Sequence, residues 1–171
     1  MSKSWMGLAV AVALACSSSA ALAQNKADKS DQKFITEAIQ GNLAEVKMGE
    51  LAQQKGQSDG VKQFGQHLAT DHGAANQKAM NVASQIGVAP PTEPNAKQKA
   101  LYDKLAKLSG PAFDRQFAQE MVKDHKQDIA KFQKEAKKTT PTGTFAKEVL
   151  PDLQKHLQEA EKLTRSGSAS R

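Results

Sequence analysis

Apolar and small side chains recur at alternating steps of three and four residues through four long stretches of this chain, and that spacing constrains its fold more than any other feature. Such steps put every member of a series on one face of a 3.6-residue helix, whereas a half-buried strand needs a period of two. The first series is Phe34, Ala38, Gly41, Glu45, Met48 and Ala52, ended by Gly56. The second is Val61, Gly65, Leu68, His72, Ala75, Ala79, Val82 and Ile86, with Gly87 in the left-handed cap role. The third runs Asp114, Ala118, Met121, His125, Ile129, Phe132 and Ala136, flanked by Phe113 and Phe117; the fourth runs Ala146, Val149, Leu153, His156, Ala160 and Leu163. No segment alternates with period two over a useful length, so the expectation is an all-α protein.

Capping and breaking residues set the limits. Long helices are expected over 31–55, 58–86, 111–138 and 142–165, with Ser30 or Asp31 capping the first. Pro90, Pro91 and Pro94 make 88–95 a connector, followed by a short helix over 96–108 that carries Leu101, Leu105 and Leu108 on one side. Pro111 suits a first helical turn, where its missing amide hydrogen costs nothing. Pro151 lies inside the last periodic stretch, so a kink is expected there, or a helix that begins near Leu150. The small, polar tail over 166–171 is expected to be disordered.

The amino terminus has a different character. Lys3 precedes an apolar run from Trp5 to Ala15, then Ser17-Ser18-Ser19-Ala20 and Ala21-Leu22-Ala23. That is the order of an export signal, a positive end followed by an apolar core and a small-x-small cut site, here after Ala23. The run falls short of the about 20 apolar residues that a spanning helix needs. A rival reading makes Cys16 a lipid-anchored first residue, but the residue three before it is Ala13 rather than a bulky aliphatic, which weakens it. The expected product is exported, with the periplasm as its compartment, a linker over 24–30 and one helical domain over 31–165. Cleavage would remove the only cysteine, so no disulfide or thiolate ligand is available and stability must come from packing. It would leave 23 basic against 18 acidic side chains, a mild preference for anionic envelope surfaces. Because the basic residues are scattered among acids, no nucleic-acid partner is expected.

Each long stripe contains one residue able to ligate a metal: Glu45, His72, His125 and His156. All four lie near their helix midpoints, within roughly 5 Å of axial distance at about 1.5 Å per residue. Midpoints of a bundle's helices share a level, so the four side chains are expected to converge. A buried polar group without a partner costs about 1–3 kcal/mol, so convergence requires a compensating interaction. One reading is a closed hydrogen-bonded network, Glu45 accepting from the imidazoles and fixing helix register. The other is a transition metal, zinc, copper or iron, held by three imidazoles and a carboxylate. Asp71 and Asp124 each precede a histidine within the near-repeat Phe64-Gly-Gln-His-Leu-Ala-Thr-Asp71-His72 and Phe117-Ala-Gln-Glu-Met-Val-Lys-Asp124-His125. Pointing about 100° away from their own histidines, they either orient imidazoles on neighbouring helices or are solvated. Met121 and Met48, one turn from His125 and Glu45, would suit copper but fill cores more often. His67 falls off the stripe and is expected at the surface, paired weakly with Asp71.

The pattern Glu45-Val46 with Gly49 and Leu51-Ala52, then Asp71-His72, Leu108-Ser109-Gly110 with Phe113-Asp114, His125, Leu150-Pro151 and His156-Leu157 resembles the secreted bacterial ferritin-like proteins of domain-of-unknown-function family 4142. The resemblance covers about Lys33 to Leu163. It implies a ferritin-like four-helix bundle, with the short extra helix in the connection between the second and third long helices, which would then run parallel. It implies no established activity. Di-iron members of the wider superfamily carry Glu-x-x-His on two helices. This chain has none; its last helix reads His156-Leu-Gln-Glu159, the reverse order. A metal-holding bundle and a non-enzymatic envelope or stress protein with a structural polar core are therefore the two expectations, and a redox enzyme is disfavoured. No catalytic serine or cysteine arrangement and no phosphate-cradling glycine loop is present.

Overall fold

The computed structural model describes residues 28–169; the expected signal segment, Cys16 and most of the expected 24–30 linker lie outside them. Among the described residues there are five helices and no strand: α1 (Lys29–Lys55), α2 (Asp59–Gln85), α3 (Ala96–Ala106), α4 (Gly110–Glu135) and α5 (Pro141–Ala169). The all-α expectation therefore holds, with the short helix α3 between the second and third long ones. None of these helices is long and apolar enough to cross a membrane.

Cross-helix contacts fix the directions. Asp31 near the start of α1 meets Lys138 just past α4, while the amides of Gln57 and Ser58, just past α1, donate to the Asp114 carboxylate at the start of α4. α1 and α4 are thus antiparallel. α1 and α2 are antiparallel too, Asn42 meeting His72 and Gly49 meeting Gly65. The second and third long helices, α2 and α4, consequently run parallel, and the near-repeats they carry align: Phe64 meets Phe117 at 6.0 Å between ring centroids and His72 meets His125 at 5.7 Å. α5 closes the bundle against α2 and α4.

Local chemistry explains where the helix limits differ from expectation. Asp28, not Ser30 or Asp31, caps α1 by accepting from the Ser30 amide. Asp31 is instead buried, at 2.6 Å from the Lys138 ammonium, which also lies 3.0 Å from Glu135. Asp114, expected on the buried stripe of α4, spends its carboxylate on the α1–α2 turn. Gly87 adopts φ +71°, as its cap role requires. α5 starts at Pro141 and is continuous through Pro151, so a start near Leu150 is excluded. Pro151 and Lys147, whose carbonyl loses its helical partner, are both exposed, so the proline sits on the solvent side of the helix. α5 also runs to Ala169, past the limit expected at 165, with the Ser166 hydroxyl donating to the Lys162 carbonyl in that last stretch.

The core has two apolar clusters separated along the bundle. One gathers Met48, Phe64, Leu68, Phe113, Phe117 and Met121; the other gathers Ile35, Ile39, Ala79, Phe132, Phe145 and Leu153. On every long helix a polar residue sits between its contributions to the two: Asn42 on α1, His72 on α2, His125 on α4 and His156 on α5, each at most 5% exposed.

Candidate metal centre

The three histidines meet in that intervening layer. Their ring centroids are 5.2 to 5.7 Å apart pairwise, and one ligating nitrogen of each lies within 4.8 Å of those of the other two. The geometry follows from the helix directions: α2 and α5 are antiparallel and place Asp71 against His156, while the parallel α2 and α4 place His72 opposite His125.

Each ring is held through one nitrogen. His72 Nδ1 lies 2.9 Å from Asn42 Oδ1, His125 Nδ1 lies 3.0 Å from the Met121 carbonyl oxygen, and His156 Nε2 lies 2.9 Å from Asp71 Oδ2. All three partners are acceptors, so the histidine nitrogen donates in each case. A neutral imidazole has a single N–H. The second nitrogens, His72 Nε2, His125 Nε2 and His156 Nδ1, are all buried without a hydrogen-bond partner, and in a neutral ring each carries a lone pair. Burial and the neighbouring imidazoles push His72 well below the usual histidine range, and burial with His156 nearby brings His125 down to about 4. Around neutral pH, therefore, His72 and His125 cannot relieve the crowding of lone pairs by taking up protons.

Asp71 Oδ2 thus meets an imidazole on a neighbouring helix, one of the two alternatives open to it. Asp124 does not: it lines a cavity of about 250 Å³ between α1, α3 and α4, with Asp128 and Glu45. Glu45 also departs from expectation. It is buried, but it is not part of the group whose ligating atoms lie within 4.8 Å of one another. The reason is helical register. Asn42 occupies the level of the histidines on α1, and Glu45, three residues further, is displaced by about 4.5 Å along the axis and turned about 60° away. Burial and the charges of Asp124 and Asp128 raise its carboxyl well above the ordinary range. Asn42 went unrecognised in the sequence because α1 is buried over a wide face, including Ile35, Ile39, Ala44 and Leu51, and a single stripe passes it by. Met48 and Met121 are packed into the apolar cluster with Phe64, Phe113 and Phe117. His67 is at the surface, but its Nδ1 pairs with Glu159 at 2.9 Å rather than with Asp71, because α5 lies across that face of α2.

The family model described as Domain of unknown function (DUF4142) matches residues 16–163. The chain belongs to that family. No curated protein and no solved structure matches it. The likeness carries no activity with it.

Proposed function

We propose that this member of the DUF4142 family is an exported, ferritin-like bundle that holds one transition-metal ion, zinc, copper or iron, through His72, His125 and His156. The observation that carries this reading is the set of three buried ring nitrogens with no partner, on histidines that each bring one ligating atom within 4.8 Å of the others and are each fixed by an acceptor at the other nitrogen. Leaving them bare would cost about 1–3 kcal/mol apiece. A cation bound to all three lone pairs removes that cost, and imidazole suits each of these metals. Histidine ligands whose other nitrogen donates to a carboxylate, carbonyl or amide are the usual metal arrangement, since the outer bond fixes tautomer and ring orientation.

A bundle with α2 and α4 parallel supports the ferritin-like description, but no carboxylate joins the histidine group, so a carboxylate-bridged di-iron centre does not suit it. With three neutral protein ligands, the ion would keep a position open to water or a small anion. Export rests on Lys3, the Trp5 to Ala15 apolar run and the Ala21-Leu22-Ala23 cut site. The reading in which the polar layer is purely structural predicts donors matched to acceptors, which these three nitrogens lack.

Untagged protein, stripped with a chelator and then dialysed against zinc, is expected to retain one ion per chain by elemental analysis and to melt at a higher temperature. Asp71→Asn should weaken zinc binding by about 10- to 100-fold while leaving the fold intact, because it loosens only the hold on His156. Protein that stays metal-free under these conditions, with no gain in melting temperature from zinc, copper or iron, would refute the proposal.

A further inference from the structure

The cavity between α1, α3 and α4 is distinct from the histidine layer and has its own chemistry. Glu45 lines it at 4% exposure, and its Oε2 has no hydrogen-bond partner. Asp124 and Asp128 line the same space, while Met48 and Leu101 supply apolar wall. Three lysines share the lining with these acids: Lys131 lies 3.3 Å from Asp128, Lys123 lies 3.6 Å from Glu120, and Lys97 is the third. Among the described residues no ion pair reaches Glu45. A buried carboxylate oxygen without a donor is costly, and a cavity of about 250 Å³ beside it has room for an ion with several waters.

We infer that this cavity is a second cation site, built from oxygen donors, in which Glu45, Asp124 and Asp128 hold a hydrated divalent cation of the magnesium, manganese or calcium class. The donor chemistry selects that class, since carboxylate oxygens suit hard cations and the cavity leaves room for the waters such an ion keeps. Magnesium-like ions keep several waters and bind through one or two carboxylates. Softer ions go to the imidazoles. The site stands on the cavity and on Glu45, and it does not depend on whether the histidines carry metal.

Manganese is the probe, because it is hard, paramagnetic and the weakest of the first-row divalent ions at nitrogen sites. The full chain is titrated with manganese, the free ion being followed by its electron paramagnetic resonance signal, with and without a prior equivalent of zinc. One manganese per chain is expected in both cases. Glu45→Gln and Asp124→Asn should each weaken it by about tenfold or more, since each removes ligand charge. Manganese should raise the melting temperature of the wild type but not of Glu45→Gln, which by itself melts higher than the metal-free wild type because a buried carboxyl has gone. No manganese bound at millimolar concentration, or binding unchanged by both substitutions, would overturn the inference. So would binding abolished by prior zinc, which would assign manganese to the histidines; a failure to hold zinc with manganese still bound would instead count against the histidine reading alone.

Discussion

The stability of the metal-free protein, compared with that of His125→Asn, is expected to fall by about 2 kcal/mol more between pH 7.5 and pH 5, and by about 3 kcal/mol more by pH 4. The cause is the difference between the buried ring and the same ring in the unfolded chain. Unfolded, His125 takes up a proton as the pH falls through its ordinary value of 6.5; folded, burial keeps it neutral down to about 4. Across that window the unfolded state binds more protons. Stability from His125 is therefore complete above 6.5 and is lost as the pH falls toward 4. His72 moves in the same direction.

Carboxylates oppose it: Glu45, Asp124 and Asp128 are all raised by burial, so their folded forms hold protons that the unfolded chain has released, and acidification relieves them. Taking the difference against His125→Asn removes that common background. Chemical denaturation at several pH values supplies both curves. Equal slopes would mean that His125 is solvated or protonated in the native state, and the lone-pair argument for a metal would lose one of its three donors. With metal bound the window should change, because release of the ion then accompanies protonation.

The long helices and the meeting of the histidines were legible in the sequence for one reason: three-four spacing determines which residues share a face, and midpoints of packed helices share a level. Parallel α2 and α4 could be expected from the length of the connection, and the aligned Phe64–Phe117 and His72–His125 pairs agree with it. What the spacing could not resolve was the direction of a polar residue on a helix buried over most of its circumference. On α1, Asn42 and Glu45 are both buried, yet one faces α2 and the other faces α3 and α4; a stripe of fixed width assigns only one of them to the core. The same limit hid Asp114, whose place on the stripe is correct in angle but lies at the helix end, where turn amides are available. Residues such as Asp31, Glu135 and Thr142 escaped for another reason. Their burial depends on how the ends of α1, α4 and α5 meet, with Thr142 donating to Glu135 at 2.6 Å and Lys138 serving both acids, and periodicity within one helix contains no information about ends.

Gly49→Ala is expected to destabilise the protein by about 2 kcal/mol, a drop of roughly 4 to 8 °C in melting temperature, although alanine is the better helix former by about 1 kcal/mol. A β-carbon at Gly49 would stand 2.5 Å from the Gly65 carbonyl oxygen and 2.9 Å from the Ala69 amide nitrogen. Both are backbone atoms of α2, so no rotamer can give way and the helices must separate. The contact is reciprocal: a β-carbon at Gly65 would meet the Gly49 carbonyl oxygen at 2.6 Å and the Ala52 β-carbon at 2.8 Å. Separation would also pull Asn42 from His72, two turns further along the same pair of helices, so zinc affinity should fall with stability. Gly73→Ala and Gly41→Ala supply the contrast, since a β-carbon at either position meets nothing within 4 Å. Each should gain about 0.5–1 kcal/mol from helix propensity alone. Because a single widening of the α1–α2 spacing admits both methyl groups, the double change Gly49→Ala with Gly65→Ala should cost less than the sum of the two single changes. Thermal melts of these variants decide the matter: a Gly49→Ala protein as stable as Gly73→Ala would mean that the helices are not in backbone contact, and the register that brings Asn42 to His72 would need another explanation.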